Sequence, residues 1–388
     1  ESPSRRMTAA ILSLSLLTVM AGAAIAPALD VIRAHFADSS ALMVQMIIST
    51  PALFIVLTSL IFPRLCRRFG SKGLVLVSLI LYTLGGCGAG AVHSIGAVLV
   101  LRAFVGVGVG IMMPLSTGLL SFYFSSDRQA QLMGYSSAAN QMGGVIATLL
   151  SGLLATVSWR AAFLVYLMGL LSIVLCLLFL PNGRIAAPAP SEKPPRAGHT
   201  LRTFFPAVLA MFLLMSAFFV YPANFALETA ANGVLPQGWI AAVMAGADLV
   251  AFFGGLLFVH LRCALGQHTR YLAPLLFLAG YVLLVHPGGV TGTLAGSACI
   301  GFANGVGIPY LISESSLRAG KSAAATVMPL LSAALYLAQF LSPLLLSAVQ
   351  ALCGNIAHLP YWYAAVLALL FLLCSVFLPK EPSSPEEC

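Results

Sequence analysis

Apolar residues dominate this chain in runs of about twenty, each closed by a short polar or basic segment, and the pattern repeats from one end to the other. Twelve such runs can be read: 8–30, 44–63, 73–92, 95–118, 132–156, 160–181, 203–225, 238–260, 270–287, 291–313, 323–347 and 360–378. An α-helix of that length crosses roughly 30 Å of hydrocarbon. No stretch shows the strict alternation of a half-buried strand, so the predicted fold is an all-α membrane protein of twelve transmembrane helices. The first run is longer than a signal segment and lacks a small-residue cleavage site, so it reads as a spanning helix.

The polar segments organise the runs. "PNGRIAAPAPSEKPPRAGHT", residues 181–200, is rich in proline and mixed charge and has no apolar period, which marks a linker. The expected organisation is a six-helix bundle over 1–181, a cytoplasmic linker over 182–200, a second six-helix bundle over 201–379 and a polar tail over 380–388. The halves echo each other. "RLCRRFGSKG" follows span 2 and "HLRCALGQHTR" follows span 8, while "GVGVGIMMP" in span 4 matches "GFANGVGIP" in span 10. In that match Gly108 is set opposite Gly305 and Gly110 opposite Gly307. Two echoes at nearly one offset indicate duplication, as in parallel-repeat transporters.

Composition narrows the function. Of the 388 residues 60% are hydrophobic and 8% are charged, far below the roughly 25% charged of a soluble domain. The net charge of +8 is a matter of placement: with the first residues inside, all 19 Lys and Arg except Arg33, Arg102 and Arg160 fall on the cytoplasmic side. That is the positive-inside bias of a multi-pass protein in the cell (inner) membrane, with both ends of the sequence cytoplasmic. It is not a nucleic-acid-binding face. The eight cysteines are scattered, form no CxxC or Cys/His cluster, and read as packing residues or inner-loop thiols. No metal site and no cofactor is expected, and nothing suggests more than a monomer.

The residues now carry a resemblance. "PRLCRRFGSK", residues 63–72, is similar to the "GxLaDRxGRK" loop of the major facilitator superfamily, with Leu65, Arg68, Gly70 and Lys72 in place. Pro63 and Arg67 stand where that loop has glycine and an acid. Span 4 resembles "RxxxGxGxG" through Arg102, Gly106, Gly108 and Gly110, and "DRQAQLMGYSSAANQMGG" and "WRAAF" resemble the loops around span 5. The glycines follow no strand, so a dinucleotide-binding reading of "GVGVG" fails. More loosely the chain resembles the drug:proton antiporter branch, although its span 5 motif "GxxxGPxxGG" is eroded: Gly143 and Gly152 remain, with Ala147-Thr148 and Ser151 replacing the rest.

The resemblance implies a secondary transporter whose partners are a small-molecule substrate, the proton and the lipid bilayer. Ionisable groups at membrane depth mark pathways or proton relays, and four remain after loops are removed: Asp30, Arg102, Glu228 and Asp248. Asp248, in "AAVMAGADLVAFFGG", is ten residues into span 8, about 15 Å deep by helix rise. Removal from water disfavours a carboxylate's charged form, so a group there is suited to loading and releasing a proton as its surroundings alternate between wet and dry. A structural carboxylate bonded to a neighbouring helix is the alternative. The family carries an arginine at the position of Arg102 that is associated with proton transfer. Spans 1 and 4 are neighbours in that architecture, so Asp30 and Arg102 are expected either to pair or to reach separately for the headgroups. Proton coupling is therefore assigned to Asp248, Arg102 and Asp30. Glu228, in "FALETAANG", reads as a loop carboxylate beyond span 7.

Polar side chains among apolar neighbours give the expected substrate-binding set: Asp248 again, Asn140 and Gln141 on span 5, Tyr221 and Asn224 on span 7, Asn304 and Tyr310 on span 10, with Met113 as adaptable wall. Interhelical hydrogen bonding explains the same residues without a substrate. The conformational gate is expected at Arg68, Gly70 and Lys72, with Glu314 as a partner for Arg318 or Arg68. The three carboxylates and one arginine lean toward cationic cargo. Proton-coupled efflux of small, partly hydrophobic molecules by alternating access, as in multidrug antiporters, is the first reading. A facilitator or importer of one metabolite is the second. None of the seven histidines is deep within a span, so no nucleophile–base or metal constellation supports an enzyme.

Overall fold

The computed structural model describes residues 5–124, 126–183, 197–286 and 289–379. Described secondary structure is helical throughout. The first span is broken: α1 (Arg5–Thr18) is followed by α2 (Met20–Ala23), a 3-10 turn at Ala26–Ala28 and α3 (Leu29–His35), with a bend of 52°. Pro27 sits in that turn; lacking an N–H, it cannot bond back to the carbonyl four residues before it, as an α-helix would require. Then come α4 (Ala41–Arg68), α5 (Ser71–Gly88), α6 (Ile95–Tyr123), α7 (Ser126–Ala155), α8 (Trp159–Ala162) and α9 (Met168–Phe179). The second half supplies α10 (Ala197–Asn232), α11 (Gln237–Leu265), α12 (Thr269–Val285), α13 (Val290–Cys353) and α14 (Leu359–Phe377). Serines start several of them. The hydroxyls of Ser40, Ser94 and Ser158 accept from Met43, Ala97 and Ala161 N–H at 3.3, 3.2 and 3.0 Å, the N-cap bond that satisfies an orphan donor of the first turn.

Ten described segments are long and apolar enough to cross a membrane, eleven with the bent first pair. Each of the twelve predicted runs overlaps one of them, because Gln237–Val285, at 49 residues, takes two. A 3-10 turn at Gly266–His268, where Gly266 has φ +51°, separates that pair. Helical backbone also continues through the stretch between runs 291–313 and 323–347, where a break was expected; "SAAAT" there is rich in the strongest helix former. Most of the predicted linker, 184–196, and the tail, 380–388, lie outside the described residues. Six described cysteines are free thiols, with Cys176 and Cys374 buried and Cys353 exposed.

The chain packs as two compact units, one of residues up to Ser191 with Thr229–Ala245, the other of Glu192–Glu228 with Gly246–Cys388. Inside each, glycines of one helix meet the backbone of another. In the first unit a Cβ at Gly106 would overlap the Pro51 carbonyl, and one at Gly110 would lie 2.7 Å from Thr58 Cβ and 3.1 Å from the Ile55 oxygen. Gly108 faces the other way, 2.6 Å from the Ser78 carbonyl of α5. The second unit repeats the α4–α6 contact, with Gly301 and Gly305 of α13 against the Ala247 and Ala251 carbonyls of α11. A shift of 195 carries Gly106 to Gly301, Gly110 to Gly305 and Pro114 to Pro309, and a shift of 196 carries Pro51 to Ala247 and Ile55 to Ala251. This corrects the register read from the sequence, which paired Gly108 with Gly305.

A methyl group at these positions meets a backbone atom that cannot swing aside. Gly106→Ala and Gly301→Ala are each expected to destabilise by about 1–3 kcal/mol. Gly246→Ala, where a Cβ meets nothing within 4 Å, should be neutral or gain up to ~1 kcal/mol in helix propensity. Thermal unfolding of the detergent-purified variants measures the difference.

Candidate transport site

Arg102 is fully buried, at 0% exposure. Its Nε donates to the Ile47 carbonyl at 2.7 Å, its Nη1 to the Tyr166 hydroxyl at 2.5 Å and its Nη2 to the Ala21 carbonyl. The sequence explains the first of these. Residue 51 is proline, so no N–H reaches back four residues to Ile47, and that carbonyl is open to another donor. Ala21 lies at the break of the first span, where helical bonding is also interrupted. The guanidinium thus occupies acceptors that two irregular helices expose, over the Tyr166 ring at 5.2 Å from its centroid.

The structure does not bring Asp30 to Arg102: the described residues show no ion pair between them. Asp30 Oδ2 instead accepts from the Gln237 side chain at the start of α11, and its buried Oδ1 has no partner. Two readings fail together here, the Asp30–Arg102 pair and an Arg102 that reaches for the headgroups.

A second polar group in the same unit joins α1, α6 and α7. The Ser15 hydroxyl is 2.8 Å from that of Ser116 and 2.5 Å from that of Ser136, and Thr18 donates to the Asn140 side-chain oxygen at 2.6 Å. Asn140 is therefore in an interhelical bond, while Gln141 and Met113 are half-buried. Ser15, Thr18, Ser116 and Ser136 escaped the sequence reading. Their one available signal was spacing, 15/18 and 136/140 each lying on one helical face.

The second unit arranges a different set. The carbonyl that Gly301 approaches belongs to Ala247, so α13 is pressed against α11 at the residue before Asp248. Asp248 is half-buried and interacts electrostatically with the Tyr221 hydroxyl of α10. The Tyr221 hydroxyl also pairs with that of Ser297 on α13, and in the same unit the buried side-chain oxygen of Asn304 has no hydrogen-bond partner. Ser297 and Asn304 are seven residues apart, two turns along one face of α13. The shift of 195 also carries Arg102 to Ser297. Where the first unit places a guanidinium, the second has a short hydroxyl that pairs with Tyr221. Tyr310 is buried, and Asn224 donates back to the Val220 carbonyl at 3.0 Å. Of the predicted binding residues, Asp248, Tyr221 and Asn304 belong to one unit with Ser297 added, whereas Asn140, Gln141 and Met113 belong to the other.

Such an arrangement of buried polar groups in paired helical repeats has a match among known families. The sequence profile described as the Major Facilitator Superfamily fits residues 11–343. The chain belongs to this superfamily. Its fold and family are those of transporters, not enzymes. Solved superfamily-like transporters share the architecture: the nucleoside transporter NupG in a D323A form gives a TM-score of 0.78 at 10% identity, over 95% of this chain and 99% of that one. A bacterial homologue of the human lysosomal transporter Spinster gives 0.74 at 16%, over 95% of both. In sequence, the chain is 30% identical over 118 residues to the cis,cis-muconate transport protein of Acinetobacter baylyi, covering 30% of this chain and 29% of that protein. It is 29% identical over 110 residues to the quinolone resistance protein NorA of Staphylococcus aureus, covering 28% of each. The chain thus aligns with less than a third of the length of these relatives.

The gate expected of this major facilitator chain falls on two sets of contacts. Gly70 caps α5, and the next residue, Ser71, donates through both its N–H and its hydroxyl to the Gly183 carbonyl beyond α9, at 2.8 and 2.9 Å. Arg68 is exposed and Lys72 half-buried. In the second unit Arg270 does the equivalent work, donating to the Leu378 carbonyl beyond α14 at 2.8 Å. Glu314 is buried, with Oε1 2.5 Å from Arg318 Nε and Oε2 unpartnered. Arg318 is thus its partner of the two the sequence allowed. Arg262 at the end of α11 donates to the Ser313 hydroxyl at 2.9 Å. Glu228, read as a loop carboxylate, is on α10 and meets His358 at 3.3 Å.

Proposed function

We propose that the protein is a proton-coupled exporter of small, partly hydrophobic and preferentially cationic molecules, working by alternating access. The observation that carries this reading is a half-buried carboxylate within a spanning helix, Asp248, electrostatically coupled to Tyr221, whose hydroxyl pairs with Ser297 of α13. Ionisable groups at membrane depth mark ion and substrate pathways, and a carboxylate among hydroxyls suits a proton or a hydrogen-bond-donating cation in turn. Arg102 opposes this weakly, since its charge is held by backbone carbonyls and Tyr166. Support comes also from relatives that carry drug-resistance names, NorA among them. In this reading the chain is a monomer in the cell (inner) membrane, with halves 1–181 and 201–379 and both ends of the sequence cytoplasmic.

A second reading, a facilitator or importer of one metabolite, is favoured by the relatives named for cis,cis-muconate and riboflavin and by the eroded span 5 motif. The two separate in proteoliposomes with an imposed pH gradient. Export coupled to protons predicts that ethidium, a hydrophobic cation, collapses the gradient in a saturable way. Ethidium without effect, together with muconate uptake that leaves the gradient intact, would favour the metabolite reading.

A further inference from the structure

A cavity of about 510 Å³ lies where α10, α13 and α14 end in one turn region of the second unit. Its lining includes Glu228, Gln350 and Asn355 together with the apolar Ile356, Leu359 and Pro360. Glu228 is the one charged side chain of this lining. The turn that shapes the cavity uses two residues with positive φ, Gly354 at +73° and His358 at +54°. Among the described residues His358 is the only non-glycine in that region. Left-handed backbone at a residue with a side chain is uncommon and concentrates at functional positions. Here it places the His358 ring parallel to Tyr361, centroids 6.3 Å apart, with Nδ1 3.3 Å from Glu228 Oε2. Both side chains keep about a quarter of their surface in solvent, 25% and 26%, so the pair is open to exchange.

We propose that this cavity binds a small organic cation, a primary ammonium on a short apolar body, which takes Glu228 from His358. A carboxylate lined with two carboxamide residues and three apolar ones suits that chemistry and disfavours anions, and the volume is in the range of small-ligand pockets, roughly 300–1,000 Å³. The site is apart from Asp248 and does not depend on the transport reading. Imidazole is the side chain that charges between pH 5 and 8. Once protonated, His358 neutralises Glu228 itself, and the cation is displaced. Other titratable groups near that turn are Cys353 at the end of α13, Tyr361, stacked on His358, Tyr363 on α14, and His286, whose ring meets Trp362 at 5.9 Å. None of these lines the cavity.

Benzylammonium is a suitable probe, with benzyl alcohol as the neutral control, read as saturable thermal stabilisation of the full chain in detergent. Stabilisation is expected near pH 8, with an apparent affinity at least about tenfold weaker near pH 5.5, where the probe stays charged while imidazole protonates. Glu228→Gln should abolish it. His358→Asn, a side chain that tolerates left-handed backbone, should keep binding and flatten its pH dependence. Because the proposed transport site also favours hydrophobic cations, all of these measurements are made in the Asp248→Asn background, where the stabilisation should persist. The proposal is overturned by equal stabilisation from benzyl alcohol, by binding that survives Glu228→Gln, or by binding that disappears in Asp248→Asn. If Glu228→Gln yields no folded protein, His358→Asn decides alone, and an unchanged pH dependence in it refutes the site.

Discussion

Proteoliposomes carrying Asp248→Asn are expected to lose proton-driven substrate movement to background while retaining a folded, membrane-inserted protein. Asparagine has the shape of the aspartate and can keep a neutral hydrogen bond to its neighbours, but it cannot load or release a proton. Asp248 is half-buried beside the Tyr221 hydroxyl, so the substitution removes the titratable group without opening a cavity. Downhill transport of a neutral substrate analogue is expected to persist, whereas a cation also loses the counter-charge of the carboxylate, which separates coupling from binding. Wild-type rates of pH-driven flux in this variant, at equal protein abundance, would take Asp248 out of the coupling role. The structural alternative, a carboxylate that only ties α11 to its neighbours, predicts instead a lower melting temperature with coupling retained in the surviving protein.

Much of the architecture could be read from the chain because it follows from hydrophobic run length. Span length is a property of local composition, and every predicted run overlaps a described helix. The duplication was legible too, but its register was misjudged by two residues. Matching the strings "GVG" paired Gly108 with Gly305, whereas the contacts pair Gly106 with Gly301 and bring Pro114 onto Pro309. Proline, whose backbone consequence is fixed, was the better anchor.

The site was legible in kind and not in partnership. Arg102 and Asp248 stand out in any apolar stretch, but which atoms satisfy them depends on packing between residues far apart. Asp30 finds Gln237 across 207 positions, and nothing local in "APALD" or "PQGW" announces that meeting. Ser297 carried no signal of its own, since serine is common in membrane helices; its meaning comes from occupying the Arg102 position of the other repeat. One partner could have been inferred. Pro51 stands four residues after Ile47, so a carbonyl without its helical donor was written into the sequence. A buried cation nearby is a natural taker.

That origin of the Arg102 site sets the second large effect expected. Arg102→Ala removes the donor from the Ile47 carbonyl, which Pro51 prevents the helix from satisfying, and it empties a fully buried volume. The Tyr166 hydroxyl still reaches the Met20 and Ala21 carbonyls at 3.1 Å, so the damage centres on one orphaned acceptor, about 1–3 kcal/mol, plus the cavity. Relief from burying a cation offsets part of this, and the net loss is expected at ~2–4 kcal/mol. Arg102→Met refills the volume without the donor and should recover about half. Arg102→Lys keeps a charge but cannot fork to Ile47, Tyr166 and Ala21 together, and should fall between alanine and wild type. Thermal unfolding in detergent ranks the series. A wild-type melting temperature for Arg102→Ala would mean that water replaces the guanidinium at no loss, leaving Arg102 a role in transport alone.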